Sequence, residues 1–138
     1  MGIINENFVV HTHGNNDIID ITEQVQNCVY RHALKDALVC VSVQGSTSAV
    51  TTTEYESGLI EDLKEALDRV APAGKEYHHD EIWHDGNGYA HVRAALMGSS
   101  VNIALKDGLV NLGTWQQVIL IDFDNKQRSR NITVQIVC

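Results

Sequence analysis

The sequence has a single proline, only three cysteines, no Gly/Ser-rich linker, no block of like charge and no apolar run near the length of a membrane span. Each lack excludes something. Without a linker or a break in composition, the 138 residues read as one domain, 1–138, large enough to bury a core without staples. Without a spanning run, the chain is expected to be soluble rather than membrane-embedded. Cys28, Cys40 and Cys138 are odd in number and sit in or beside apolar patterns, with Cys40 expected in the core, so they suggest no disulfide framework. The opening Met-Gly-Ile-Ile-Asn-Glu has neither the basic start nor the apolar core of a signal peptide, and a reduced cytoplasm is the expected location. Ten Lys and Arg against eighteen acids give a formal charge of −8. That balance argues against nucleic acid as a partner, because such binding relies on counterion release by Lys and Arg.

What the chain does have is concentrated between Tyr77 and Arg93, where four of the seven histidines, three acids and Asn87 are punctuated by Gly86 and Gly88. Imidazoles and carboxylates at this density make a poor core, since each needs a buried partner, but they make good metal ligands or proton-transfer groups. Asp85-Gly-Asn-Gly88 is a turn signature that predicts a helix over Tyr89–Met97, with His91 in its first turn and Asn87 or Asp85 at its cap. The spacing of four lets Asn87 and His91 face one pocket. In an extended segment His78 and His79 cannot both point inward, and His79 is taken as the inward one. His79, Asp85, Asn87 and His91 are therefore the candidate catalytic set. His79 and His91 are also candidate metal ligands, although the spacing matches no standard zinc motif.

The rest of the chain predicts the frame. Asn7–His13 reads as a strand with His11 and His13 on one face, more readily solvent-facing than metal-binding. A helix follows from about Thr22 to Leu34–Asp36, then a buried strand Ala37–Val43. Gly45-Ser46-Thr47-Ser48 could turn N–H groups and hydroxyls toward an oxyanion, but the same signal describes an ordinary turn. Thr51–Glu54 has strand propensity, and Ser57 could cap an amphipathic helix over Gly58–Val70. Beyond Gly98 short strands follow in sequence and should pair antiparallel. Trp115, Gln116 and Gln117 interrupt them, either as a core Trp or as a platform for a flat ring.

These blocks, in this order, resemble the YjbQ-like proteins of the UPF0047 group, also called secondary thiamine-phosphate synthase enzymes. The resemblance rests on Gly45-Ser-Thr-Ser-Ala with Glu54-Tyr-Glu, His79-Asp80, Asp85-Gly-Asn-Gly-Tyr-Ala-His91, Ala94-Ala-Leu-Met-Gly98 and Leu112-Gly-Thr-Trp-Gln-Gln117 with Asp122-Phe-Asp. It implies an α+β fold, an antiparallel β-sandwich-like sheet with flanking helices, assembled as a homotrimer. It also implies a weak thiamine-phosphate synthase (transferase) activity. One departure matters: many members carry a His-Thr-Thr-Ala block where this chain has Gly45-Ser46-Thr47-Ser48, so no role of that histidine passes to Gly45.

For such chemistry pyrophosphate must leave, which needs Mg²⁺ or cations on the phosphates and a stacking surface. Ser46, Thr47, Ser48, Glu54, Arg93, Trp115 and Gln116 are the candidate substrate- or anion-binding residues. A divalent metal, Mg²⁺ or Zn²⁺, is the candidate cofactor, and a small phosphorylated or anionic metabolite the candidate partner. Metal-assisted hydrolysis of a phosphorylated metabolite and a non-catalytic trimer that binds a metal or anion fit the same residues.

Overall fold

Alternating and helical periodicities divide the chain into layers. A computed structural model describes residues 1–138. Its elements, in order, are β1 (Ile3–Thr12), β2 (Asp17–Asp20), α1 (Thr22–Tyr30), β3 (Ala37–Val43), β4 (Ser48–Glu54), α2 (Ser57–Val70), α3 (His78–Trp83), α4 (Gly88–Met97), β5 (Ser100–Lys106), β6 (Leu109–Val110), β7 (Gln116–Asp122) and β8 (Arg128–Val137). All strand pairs are antiparallel, in a five-stranded sheet ordered β1-β8-β3-β5-β6 and a three-stranded sheet ordered β2-β7-β4. The α+β architecture of antiparallel sheets with flanking helices thus forms as expected. No helix is long and apolar enough to cross a membrane.

Period-two alternation builds the larger core. Val39, Val41 and Val43 of β3 and Ile132, Val134 and Ile136 of β8 point inward, against Val50, Val118 and Leu120 of the smaller sheet, Val25 and Val29 of α1 and Ile21 just before that helix. Burying each such side chain contributes roughly 1.5–3 kcal/mol. β7 is buried on both faces, which explains its unbroken Val-Ile-Leu-Ile. Its other face, Ile119 and Ile121, packs with Leu67 of α2 and Tyr89, Ala90 and Ala94 of α4 in a second core.

Several local expectations need correction. α1 stops at Tyr30 rather than near Leu34–Asp36, and Ala33 takes a left-handed φ of 50°, incompatible with a continuing helix. Cys40 lies on the outward face of β3 and is only half-buried, because the inward register belongs to Val39 and Val41. The strand containing His11 ends at Thr12, so His13 lies beyond it and bonds to Asp17. Helix α2 is capped by Glu56 and not by Ser57. The Glu56 carboxylate accepts the N–H groups of Gly58 and Leu59, and these bonds hold its carboxyl below the usual carboxylate range. His78–Trp83 is helical rather than extended.

The topology places three sheet-to-sheet connections at one end of the sandwich. β1 passes to β2 through His13–Asn16, β3 to β4 through Gln44–Thr47, and β7 to β8 through Phe123–Gln127. The pairing of Ser48 with Asp122 fixes two of these connections side by side. The start of α4 reaches this end too, since the Asn87 amide bonds to Asp124.

Candidate functional site

At this end of the sandwich, β8 turns a charge into the core. Arg130 occupies the same inward register as Ile132 and Val134, and it is buried. Such a charge needs a buried partner. Asp122, at the end of β7, supplies it: Arg130 Nε and Nη2 donate to the two Asp122 oxygens at 2.7 and 2.8 Å, a bidentate pair. Asp124 is fully buried two residues on. It accepts hydrogen bonds from the Asn125 N–H, Arg128 Nε, the Thr47 hydroxyl and the Asn87 amide, at 2.8, 2.9, 3.0 and 3.3 Å. Burial alone would push the Asp124 carboxyl up. The four hydrogen bonds together outweigh it and hold the group below the usual carboxylate range.

Thr47 is locked inside this network, giving its proton to Asp124 and accepting from Arg130 Nη2 at 2.7 Å. Ser48 is also sealed, but its hydroxyl has no partner. The Asn87 side chain does not cap α4. Its amide nitrogen faces Asp124 and its Oδ1 is the other buried polar atom without a partner. Two unsatisfied oxygens so close to one network are unusual, because each costs about 1–3 kcal/mol.

Above the network stand the histidines. His79, on α3, is half-buried, while His78 points fully into solvent. The inward choice of His79 therefore holds in a helix. His79 Nδ1 lies 3.5 Å from both Asp80 Oδ1 and Asp85 Oδ1. Asp80 is itself held by the Gly88 N–H at 3.0 Å. Gly88 is required here, since a Cβ would come within 2.6 Å of Tyr77 and 3.2 Å of Asp80 Oδ1. His91, one turn into α4, stacks on His79 with ring centroids 4.4 Å apart and planes tilted by 38°. Beneath His91 opens a cleft of 310 Å³ lined by Gly45, Ser46, Ser48, Ala94, Gly98 and Ser99, among others. This volume is near the lower end for small-molecule sites.

Chemically, a carboxylate–imidazole pair stacked on a histidine that lines a cleft can take up or deliver a proton. The ligand atoms of His79, Asp80 and Asp85 lie within 4.8 Å of one another, a donor set of one nitrogen and two oxygens that suits a divalent cation. Of the two histidines expected to share a metal, His79 belongs to this cluster, whereas His91 is stacked on it rather than part of it.

Four candidates fall elsewhere. Arg93 is 2% exposed, and its guanidinium bonds the Ala71 carbonyl, Asn16 Oδ1 and Asp68 Oδ1. It clamps α4 to the loop before α3, to the β1–β2 connection and to α2, and offers no donor to an anion. Glu54 pairs with Gln116 at the end of the β4–β7 ladder opposite to Ser48 and Asp122. Six residues of strand put these ends about 20 Å apart. Gln116 there bonds Gly113 and Thr52, and Trp115 is 73% exposed, neither a core residue nor a neighbour of the cleft. Sequence reasoning missed Asp122, Asp124, Arg128 and Arg130. A signal was present: Arg130 breaks an otherwise apolar inward register.

Comparison with known proteins agrees with this fold. The family model described as "UPF0047 protein YjbQ-like" matches residues 6–138. A UPF0047 protein of Archaeoglobus fulgidus is 40% identical over 119 residues, which cover 86% of this chain and 90% of the relative. A YbjQ-like protein of unknown function from Sulfolobus solfataricus superposes with a TM-score of 0.93 at 29% identity, covering 99% of this chain and 97% of that one. A YjbQ/UPF0047 protein of Clostridium acetobutylicum gives 0.86 at 32% identity, covering 96% and 99%.

Proposed function

The chain belongs to the UPF0047, YjbQ-like family, and from that premise we propose that it is an enzyme acting on a small anionic metabolite in the cleft beneath His91. One observation carries this reading. His79 is held between Asp80 and Asp85 and stacked on a histidine that lines the cleft, beside a buried serine hydroxyl with no protein partner. The carboxylates orient the His79 ring, His79 and His91 move the proton, and Ser46 and Ser48 meet the ligand's oxygen atoms. A cytoplasmic location goes with this proposal.

A divalent metal fits the same cluster. His79, Asp80 and Asp85 would hold it, and when bound it would polarise a ligand oxygen. Asp80 would keep its bond to the Gly88 N–H, which fixes one carboxylate in place. The non-catalytic alternative, a receptor for a metal or anion, draws on this same cluster.

Thiamine-phosphate formation is the specific reaction to test first, and its requirements are met unevenly within one chain. Both arginines near the cleft are already paired with Asp122 and Asp124, and the aromatic surface for a pyrimidine, Trp115, stands at the far end of β7. A homotrimer in which a second copy brings Trp115 to the cleft would supply the stacking surface that one chain lacks.

The test is incubation of the untagged protein with a small-metabolite mixture, including a pyrimidine diphosphate with a thiazole phosphate, followed by mass spectrometry for consumed compounds. Wild type is expected to consume one of them, and His79→Ala to slow consumption by about 10²–10⁴-fold, the usual worth of a positioned acid or base. Equal consumption by both proteins contradicts the assignment. Binding without consumption favours the receptor.

A further inference from the structure

Gly45 leaves a gap in the cleft wall, and behind it lies a guanidinium edge with no protein partner. Arg130 uses Nε and Nη2 on Asp122 and Thr47, while Nη1 has no acceptor. The only sealed, partnerless polar atoms are Ser48 Oγ and Asn87 Oδ1, so the Nη1 edge reaches solvent despite the burial of the residue. Gly45, which lines the cleft, stands against that edge. A Cβ on Gly45 would fall 2.8 Å from Arg130 Nη1 and 3.8 Å from Ser48 Oγ, and the Gly45 φ of 126° is one that other residues rarely adopt. The guanidinium edge thus borders the space that a side chain would fill, and the buried, partnerless Ser48 hydroxyl lies next to it.

We propose that Gly45, Ser48 and Arg130 form an oxyanion subsite of the cleft, and that it takes a carboxylate in preference to a phosphate monoester. The preference for one negative charge follows from the local balance. Arg128 and Arg130 are matched by Asp122 and Asp124, and Asp80 and Asp85 add two more negative charges around His79. Carboxylates thus outnumber arginines, and this excess negative charge opposes a dianion more strongly than a singly charged carboxylate. What the subsite does offer is directional: N–H groups on one side and a hydroxyl that lacks a partner on the other, the arrangement that carboxylate recognition by arginine uses. The inference rests on the proposed function, whose cleft it shares, and narrows its substrate class to carboxylate-bearing metabolites.

The test uses the full-length ¹⁵N-labelled protein titrated with acetate, and separately with inorganic phosphate, at matched pH and ionic strength. Acetate is expected to shift the amides of Gly45, Ser46 and Ser48 and the guanidinium N–H signals of Arg130 along one saturable curve, with phosphate weaker. Removing Arg130 would orphan Asp122, so the informative variants are Ser48→Ala and Gly45→Ala. Ser48→Ala should leave the unfolding temperature unchanged or raised, because its hydroxyl bonds nothing in the fold, and should weaken acetate. Gly45→Ala should fill the gap and abolish the Arg130 shifts. Phosphate shifts equal to or stronger than those of acetate overturn the carboxylate assignment. No shift with either ion overturns the subsite, and acetate binding unaltered by Ser48→Ala removes Ser48 from it. His79→Ala should keep the acetate curve, so a silent acetate titration and a silent turnover assay are separate failures.

Discussion

His79 and His91 lie ring against ring, centroids 4.4 Å apart, although one belongs to α3 and the other to α4. The contact joins the carboxylate cluster of Asp80 and Asp85 to the cleft lined by Ser46 and Ser48. Substitutions at the two positions should therefore be non-additive, since each ring helps to place the other.

His91→Phe separates stacking from chemistry. It keeps an aromatic face against His79 but removes both ring nitrogens, so the unfolding temperature should stay near that of wild type while turnover falls about 10²–10⁴-fold. His91→Ala should lose the stack as well and lower the unfolding temperature. Thermal unfolding and a turnover assay on the same preparations check both.

A divalent metal should distinguish the same residues in another way. Calorimetric titration with Zn²⁺ is expected to show binding by wild type and His91→Phe, and weakened binding by His79→Ala and Asp85→Ala. Equal loss in all three variants would place the metal on His91 after all.

Asp124 should set part of the acid limit of the fold. Its carboxyl is held below the usual range in the folded chain, so the unfolded chain binds the proton more readily. The stabilisation is full above the unfolded-state pKa, about 3.9, and is lost as pH falls through the lower folded value. In urea unfolding, Asp124→Asn should be less stable than wild type at neutral pH, and the difference should shrink on acidification below about pH 4.

Arg93 should behave as structure. Arg93→Met removes three hydrogen bonds from a buried site and leaves the Ala71 carbonyl without this donor, at a cost of about 2–4 kcal/mol by denaturant unfolding. Acetate shifts at Gly45 and Ser48 should survive under conditions where the variant is folded.

Much of the frame was legible in local signals: the β-branched, mostly apolar run Ala37–Val43 forms a strand with those bounds, and the turn signature around Asn87 marks the following helix to within a residue. The inward His79 was legible too, although its segment folds as a helix, where the same choice between neighbouring histidines arises. What could not be read was distance across the sheets. Trp115, Gln116 and Glu54 belong to the same sequence blocks as the cleft residues, but the β4–β7 register sends them to the opposite end. Arg93 looked like a free cation because nothing local reveals that Asp68, Ala71 and Asn16 converge on it. Arg130 could have been found: a charge in the apolar register of β8 demands a buried carboxylate, and Asp122 ends a strand that is otherwise entirely apolar in its last half.

The central claim is that the cleft beneath His91 is where a small anionic metabolite binds. Native mass spectrometry tests it most directly, on protein purified without an affinity tag and offered a small-metabolite mixture, wild type beside His91→Ala. Retention of one small anionic compound by wild type, and its loss in the variant while the protein stays folded, is the expected result. The same compound held equally by both proteins, or none held by either, would contradict the account.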